Sequence, residues 1–370
     1  MGKKKSPLYR EIDDILNAIY QEEEVDANFN DFLSYDYSYV ENYLKELGYS
    51  LKGSEGKERM LTLLAGVLSD LEDDEDISGL EDTVLEYAID ELVEYDPKEI
   101  ESCPYYSLLK KVKPFKKGDV SFEYRNIDAY TPFLCKNREF NEDYRVLSKP
   151  NLGFFSSPYS QPLILKGEDI WMSLIPHEIE TMKEPFSHFE GNVLIYGLGL
   201  GYAAYMASIC KNVTSVTIVE KDKLILDLFK ERMLPLFENK EKIHLIHDDA
   251  ISFAETNKKE CEFDFLFADL WRTGEDGLEL YAELKKQEGA AKINRYWIEE
   301  EIYIYLRRLY ARYLAAIIKN DPAYIEDLKG SPYYEKFLSL YQNNKDIHLN
   351  SPIADYLDKK SLDSLMNQLF

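Results

Sequence analysis

Short apolar runs alternate with helix-period segments through the middle of the chain. The runs are residues 193–196, 216–219, 243–246 and 263–268, and the helical segments between them are 203–211, 222–234 and 250–257. Such alternation is typical of βαβ units, whose strands form a parallel sheet. The pattern predicts an α/β fold with a Rossmann-like parallel sheet over residues 191–290.

Helical patterns precede this region. Segments 8–20, 60–71 and 80–93 repeat apolar residues at helical spacing, and in the third segment Val84, Leu85, Ala88 and Leu92 make one apolar face that core packing explains. Acids far outnumber bases between residues 71 and 101, a pattern that we interpret as a solvated face or loop. We predict an acidic helical N-terminal domain over residues 1–117.

Two further regions complete the predicted organisation. Aromatic runs broken by Pro, Gly and Asn indicate a β-rich connecting region over residues 118–190. After residue 290, apolar residues at 298, 302, 305, 309, 313 and 317 predict a long helix within a helical C-terminal region, residues 291–370, although 301–306 also alternate as a strand would. No clear run supplies the last strands of a complete sheet, so either the sheet is shortened or the pattern conceals them.

Three alternating glycines follow the first strand of the predicted sheet. Gly197, Gly199 and Gly201 lack a Cβ, so the backbone can turn sharply and approach a ligand closely. Glu220 falls at the end of the next strand, where a carboxylate can accept hydrogen bonds from both hydroxyls of a ribose. A dinucleotide-binding turn would need a third glycine where Tyr202 stands. The pattern therefore favours a nucleoside without a pyrophosphate.

Two more carboxylates follow the next strands. Asp249 and Asp269 come shortly after the runs at 243–246 and 263–268. Because parallel α/β sheets bind ligands at the carboxyl ends of their strands, we expect these acids to share one rim with Glu220.

The glycine spacing together with Glu220 resembles motif I of the class I S-adenosylmethionine-dependent methyltransferases. This resemblance implies that Gly197, Gly199, Gly201, Glu220 and Asp249 bind S-adenosylmethionine, with Glu220 on the ribose and Asp249 on the adenine amino group. It also implies that Asp269 lies at the reacting end of the substrate. A tight turn in some other parallel sheet is the alternative interpretation of the glycines.

Residues 160–285 resemble the spermidine synthase-like branch of this superfamily. Segment 162–182 is similar to the β hairpin and helix that precede motif I there, including a residue pair ending in Glu, here His177 and Glu178. Ile195 stands where that branch also carries an apolar residue, and 263–271 resembles its fourth strand with the catalytic Asp. The resemblance implies a substrate site at His177 and Glu178, and decarboxylated S-adenosylmethionine as an alternative cofactor.

The departures from this branch count against a polyamine substrate. Spermidine synthases carry a second acid three residues after the strand-four Asp, whereas this chain has Arg272, whose permanent charge would repel an ammonium. Their proline-containing gate loop is also missing from residues 273–280. Arg272 would suit the carboxylate of S-adenosylmethionine or of a substrate, or else forms a surface pair with Glu275 or Asp276.

Three functions follow from these observations. The first is a small-molecule methyltransferase in which Asp269 orients or deprotonates the nucleophile and Trp271 forms an apolar wall. The second is a spermidine synthase-like aminopropyltransferase, and the third is a non-catalytic nucleoside-binding scaffold for protein interaction. Structural roles stay open for His177, and for Asp269 as a helix cap near Gly274 or a partner of Arg272.

Composition excludes several other functions. A formal net charge of -25 argues against nucleic acid as a partner, because phosphates would be repelled. The four cysteines lack CxxC spacing, so we expect neither a metal site nor a disulfide framework. The chain shows no signal-peptide pattern and no run of eighteen apolar residues, which predicts a cytoplasmic protein without a membrane partner. The expected partner is a small-molecule acceptor, and homodimerisation stays open.

Overall fold

The structure is a computed structural model of the 370-residue chain. It describes residues 7–33, 36–53, 56–71, 92–136, 138–140, 147–148, 151–258, 261–345, 349 and 351–370. The account below concerns these ranges.

The N-terminal part is helical, as its apolar spacing predicts. Its helices are α1 (Pro7–Leu33), α2 (Tyr37–Glu46) and α3 (Gly56–Leu71). These helices confirm the predictions at 8–20 and 60–71. The third predicted helix, residues 80–93, lies outside the described residues except for its last two, and so does the acidic run after Leu71.

Two small sheets lie between these helices and the central domain. The elements are β1 (Val93–Tyr95), α4 (Pro97–Glu101), α5 (Pro104–Leu109), β2 (Phe115–Lys117), β3 (Val120–Ile127), β4 (Pro132–Lys136), β5 (Asn151–Phe155), β6 (Tyr159–Lys166) and β7 (Asp169–Ser173). Strands β2, β3, β6 and β7 form an antiparallel sheet, and β1, β5 and β4 form a three-stranded sheet. The β6–β7 hairpin leads into helix α6 (Pro176–Ser187), as the pattern at 162–182 predicts.

The central domain is a five-stranded parallel sheet with connecting helices. Its elements are β8 (Gly191–Tyr196), α7 (Tyr202–Ile209), β9 (Val213–Glu220), α8 (Lys223–Arg232), β10 (Ile243–His247), α9 (Ala250–Asn257), β11 (Phe263–Ala268), α10 (Gly274–Lys286) and β12 (Ala291–Tyr296). The strand order is β10-β9-β8-β11-β12, and every neighbouring pair is parallel. The chain therefore has a Rossmann-like α/β fold, with the first strand of the domain at the centre of the sheet.

The fifth strand corrects the prediction that residues 291–370 are helical throughout. Strand β12 is an edge strand that pairs only with β11, and it carries Lys292 and Arg295, so it lacks the apolar run that marks the inner strands. Among the described residues no sixth or seventh strand extends this sheet. The sheet is thus shorter than that of a complete class I methyltransferase, but longer than the sequence indicates.

The long C-terminal helix is confirmed as α11 (Glu299–Lys319), and the alternative strand at 301–306 is wrong. Short helices follow: α12 (Ala323–Glu326), α13 (Tyr334–Asn344), α14 (Ile353–Tyr356) and α15 (Lys359–Leu369). Helix α11 packs against α1, and part-buried ion pairs join Arg312 to Glu23 at 2.5 Å and Arg308 to Asp26 at 2.6 Å. Within the described ranges we find no helix with the length and hydrophobicity of a membrane span.

Candidate active site

The glycine turn joins β8 to α7 at the carboxyl edge of the sheet. Gly197, Gly199 and Gly201 have φ values of 88°, 50° and 87°, in the left-handed region that favours glycine. The N–H of Gly197 donates to the carbonyl oxygen of Val219 on β9 at 3.0 Å. A Cβ on Gly197 would overlap the carbonyl oxygen of Asp269, so the turn and the end of β11 can approach this closely only with glycine here.

Glu220 ends β9 and holds the glycine turn. Its Oε2 accepts the backbone N–H of Leu198 at 3.0 Å, and its Oε1 accepts that of Asp222 at 2.7 Å. A carboxylate offers about four lone pairs, so each oxygen can still accept another hydrogen bond. The partly buried carboxylate is therefore oriented by the backbone and can also accept the two hydroxyls of a ribose.

Asp269 follows β11 directly. Its N–H donates to the carbonyl oxygen of Tyr196 at 2.9 Å, which fixes it beside the glycine turn. Burial raises the pKa of its carboxyl to about 7, and the nearby charge of Glu220 adds to this rise. Such a carboxyl exchanges its proton near neutral pH, which is the property of a general base.

The structural roles considered for Asp269 belong to other residues. Helix α10 begins after Thr273, whose Oγ1 accepts the N–H of Asp276 at 3.2 Å, while Asp276 accepts the N–H of Thr273 at 2.7 Å in a capping box. The guanidinium of Arg272 lies 3.8 Å from Asp276 and is largely exposed. Asp269 is thus neither the helix cap nor an ion-pair partner of Arg272.

A cavity of about 170 Å³ lies at this edge of the sheet. It brings together most of the predicted site residues: Gly197, Gly199, Glu220, Asp249, Asp269, Trp271 and Arg272. The strand-end acids therefore share one rim, as the βαβ pattern predicts.

Three of the residues predicted to form the site have structural roles. Asp249 is the N-cap of α9, accepting the N–H of Ile251 at 2.9 Å, and its side chain is exposed at the cavity. The indole N–H of Trp271 donates to the carbonyl oxygen of Trp297 at 2.8 Å, and its ring is buried. Gly201 does not line the cavity, and a Cβ there would press on Phe229.

His177 and Glu178 begin helix α6 and lie outside this cavity. Glu178 accepts the hydroxyl of Ser173 at 2.9 Å, and burial raises its pKa to about 8, with the charge of Asp269 adding to the rise. Burial lowers the pKa of His177, whose ring meets that of Trp297 edge-on at 6.3 Å. Glu178 is thus electrostatically coupled to Asp269, whereas His177 lines a neighbouring cavity.

The neighbouring cavity is larger, about 720 Å³. Both cavities are lined by Arg272, which therefore stands at their junction. The smaller cavity could hold part of a nucleoside, and the larger one has room for a second reactant.

Sequence reasoning missed two residues at the cavity. Trp171 and Met172 on β7 line it opposite the strand ends, and a Cβ on Gly199 would overlap the Met172 side chain. Trp171 is 37% exposed, with the Lys166 Nζ 5.0 Å from its ring centroid. A tryptophan in a short strand before the glycine motif is a sequence signal that could have identified this part of the cavity wall.

In the part of the chain that the structure describes, no group of three or more His, Cys, Asp or Glu residues could hold a metal ion.

Comparison with known proteins gives no family for the chain. No protein-family model and no curated protein sequence matches the chain. One similar solved structure is the spermidine synthase from Thermotoga maritima, with 12% sequence identity over 53% of this chain and 71% of that chain. Its TM-score of 0.31 is too low to support an argument about fold or activity.

Proposed function

We propose that the protein is an S-adenosylmethionine-dependent methyltransferase acting on a small molecule. The observation that carries the proposal is that Glu220 and Asp269, which end the two strands flanking β8, line one cavity together with Gly197. This arrangement puts a ribose acceptor and a candidate base on the two sides of a glycine turn.

The cofactor would lie across the carboxyl edge of the sheet. Glu220 would accept the ribose hydroxyls, and the exposed carboxylate of Asp249 would accept the adenine amino group. Transfer from a sulfonium is an in-line displacement, so the protein must chiefly position two reactants and exclude water. Asp269 would take the proton of the attacking amine or hydroxyl, a task suited to its pKa of about 7.

Arg272 supports the carboxylated form of the cofactor. Its largely exposed guanidinium lies 3.8 Å from Asp276, a distance too long for a strong hydrogen bond. It lines the cavity and can pair with the amino-acid carboxylate of S-adenosylmethionine. Decarboxylated S-adenosylmethionine would instead bring an ammonium toward this cation.

One observation favours the aminopropyltransferase as a second candidate. Glu178 and Asp269 are carboxyls whose like charges interact, and both have raised pKa values. An ammonium between them would favour their ionised forms. A polyamine could supply such a cation.

Binding of S-adenosylmethionine and its decarboxylated form, measured by calorimetry, separates the two candidates. We expect the carboxylated form to bind more tightly to the intact protein, and Arg272→Gln to remove most of that preference. Arg232→Gln, an exposed arginine beside Glu231 on α8, is the matched control. Tighter binding of the decarboxylated form together with turnover of putrescine or spermidine would establish the second candidate instead. Nucleoside binding without transfer to any acceptor would favour the scaffold.

A further inference from the structure

The cavity of about 720 Å³ beside the cofactor site has a mixed lining. Four cationic side chains line it, those of Lys136, Arg138, Arg272 and Arg308. The acids in its wall are Asp26, Glu275 and Glu301. Whether the cavity favours an anion depends on how far these acids neutralise the cations.

Asp26 is shared between two of the cations. Its Oδ1 accepts from Arg138 at 2.9 Å and its Oδ2 from Arg308 at 2.6 Å, so one carboxylate faces two guanidinium groups. The Nε of Arg308 is buried and has no hydrogen-bond partner among the described residues. The pair with Asp26 therefore does not use all the donors of the Arg308 guanidinium.

Two of the four cations are weakly paired within the described residues, whereas Arg308 also lies 3.9 Å from Glu22. Lys136 is exposed and forms no ion pair with any described residue, and Arg272 has only its 3.8 Å approach to Asp276. Burial raises the pKa of the Glu301 carboxyl, the charge of Asp26 adds to the rise, and the charges of Arg308 and Arg138 oppose it.

Apart from His177 and Thr273, most of the rest of the lining is apolar. Leu134, Leu147, Ile298 and Ile304 contribute hydrocarbon surface, and Tyr305 adds a ring. An apolar wall with a few cationic groups is the usual form of a site for an organic anion with a hydrocarbon body.

From this lining we infer that the larger cavity binds the acceptor of the transfer reaction, and that the acceptor is an organic acid with an apolar body. Its anionic group lies among Lys136, Arg138 and Arg308, and its nucleophile reaches past Arg272 toward Asp269. The inference rests on the proposed function, because it identifies the class of the second reactant at the same site.

Calorimetry with matched acids and amides tests the inference. The probes are 3-hydroxybenzoate against 3-hydroxybenzamide and hexanoate against hexanamide, with phenyl phosphate to distinguish phosphate from carboxylate. We expect at least one anion to bind about tenfold more tightly than its neutral counterpart, since hydrogen bonds to charged groups are worth that much. Lys136→Glu should weaken this binding at least about fivefold. Lys116→Glu, the same change at an exposed lysine on β2, should not.

Two results would overturn the inference: no anion binds better than its neutral counterpart, or Lys136→Glu and Lys116→Glu behave alike. S-adenosylhomocysteine is titrated into the same samples to separate the two proposals. If it binds while the acids do not, only the acceptor class is wrong. If it does not bind, the proposed function itself fails.

Discussion

The backbone of Asp269 lies directly against Gly197. The Asp269 N–H donates to the carbonyl oxygen of Tyr196 at 2.9 Å, and its own carbonyl oxygen occupies the space that a Cβ of Gly197 would need. The turn that would hold the nucleoside and the residue that would act on the acceptor are therefore fixed to each other. A shift of the backbone at either position should therefore move the other, whereas a change confined to the Asp269 side chain should not.

Gly197→Ala should destabilise the protein strongly. The φ of 88° costs an alanine about 1 to 2 kcal/mol, and the overlap with the Asp269 backbone adds to this, for a total of about 3 kcal/mol or more. Gly167→Ala is the control, because Gly167 has a φ of 68° in open space and should lose only the first amount. Urea unfolding measures the loss of stability in both variants. Equal losses of stability in the two variants would contradict the close packing of the glycine turn against the end of β11.

Asp269→Asn should abolish most of the transfer activity while leaving nucleoside affinity unchanged. The amide has the same size but cannot take a proton, so turnover should fall about 10²- to 10⁴-fold. Because the pKa of Asp269 is raised to about 7, activity of the native protein should rise with pH through that value. The residual activity of the variant should lack this rise. An unchanged turnover with a lowered Tm would assign Asp269 a structural role.

Glu178→Gln should stabilise the protein at alkaline pH. The pKa of Glu178 is about 8, so the folded state binds its proton more tightly than the unfolded chain, whose pKa is about 4.3. The stability that this tighter proton binding contributes is fully present below the unfolded pKa and is lost as pH rises through about 8.

Glutamine can keep the hydrogen bond from Ser173 without carrying a charge. We expect a gain of at least about 1 kcal/mol, with roughly 1 °C in Tm per kcal/mol for a chain of this length, near pH 9 relative to acidic pH. Glu180→Gln, on the same helix and paired with Lys183, is the control and should show no such pH-dependent gain. Destabilisation of Glu178→Gln at every pH would show that the negative charge itself is needed.

The inner strands of the sheet could be predicted because they are buried on both faces and read as apolar runs. Strand β12 could not, since its outer edge is unpaired and Lys292 and Arg295 interrupt the run. Local patterns thus predicted four of the strands, including the edge strand β10, and the helices between them, but not the charged edge strand β12.

The strand-end acids could be predicted because each lies at the end of its strand or shortly after it in the sequence. The larger cavity could not, because Asp26, Arg138 and Arg308 are brought together from three distant segments. Gly201 shows that a glycine in a binding motif can also be required by packing, here against Phe229.

Titration of S-adenosylhomocysteine into the intact protein and into Glu220→Gln tests the cofactor site most directly. We predict saturable binding to the intact protein and about 10- to 100-fold weaker binding to the variant, because the amide replaces a charged acceptor and turns a donor toward a backbone N–H. Glu231→Gln, an exposed position on α8, should bind as the intact protein does. No binding to the intact protein, or equal binding to Glu220→Gln, would contradict the account.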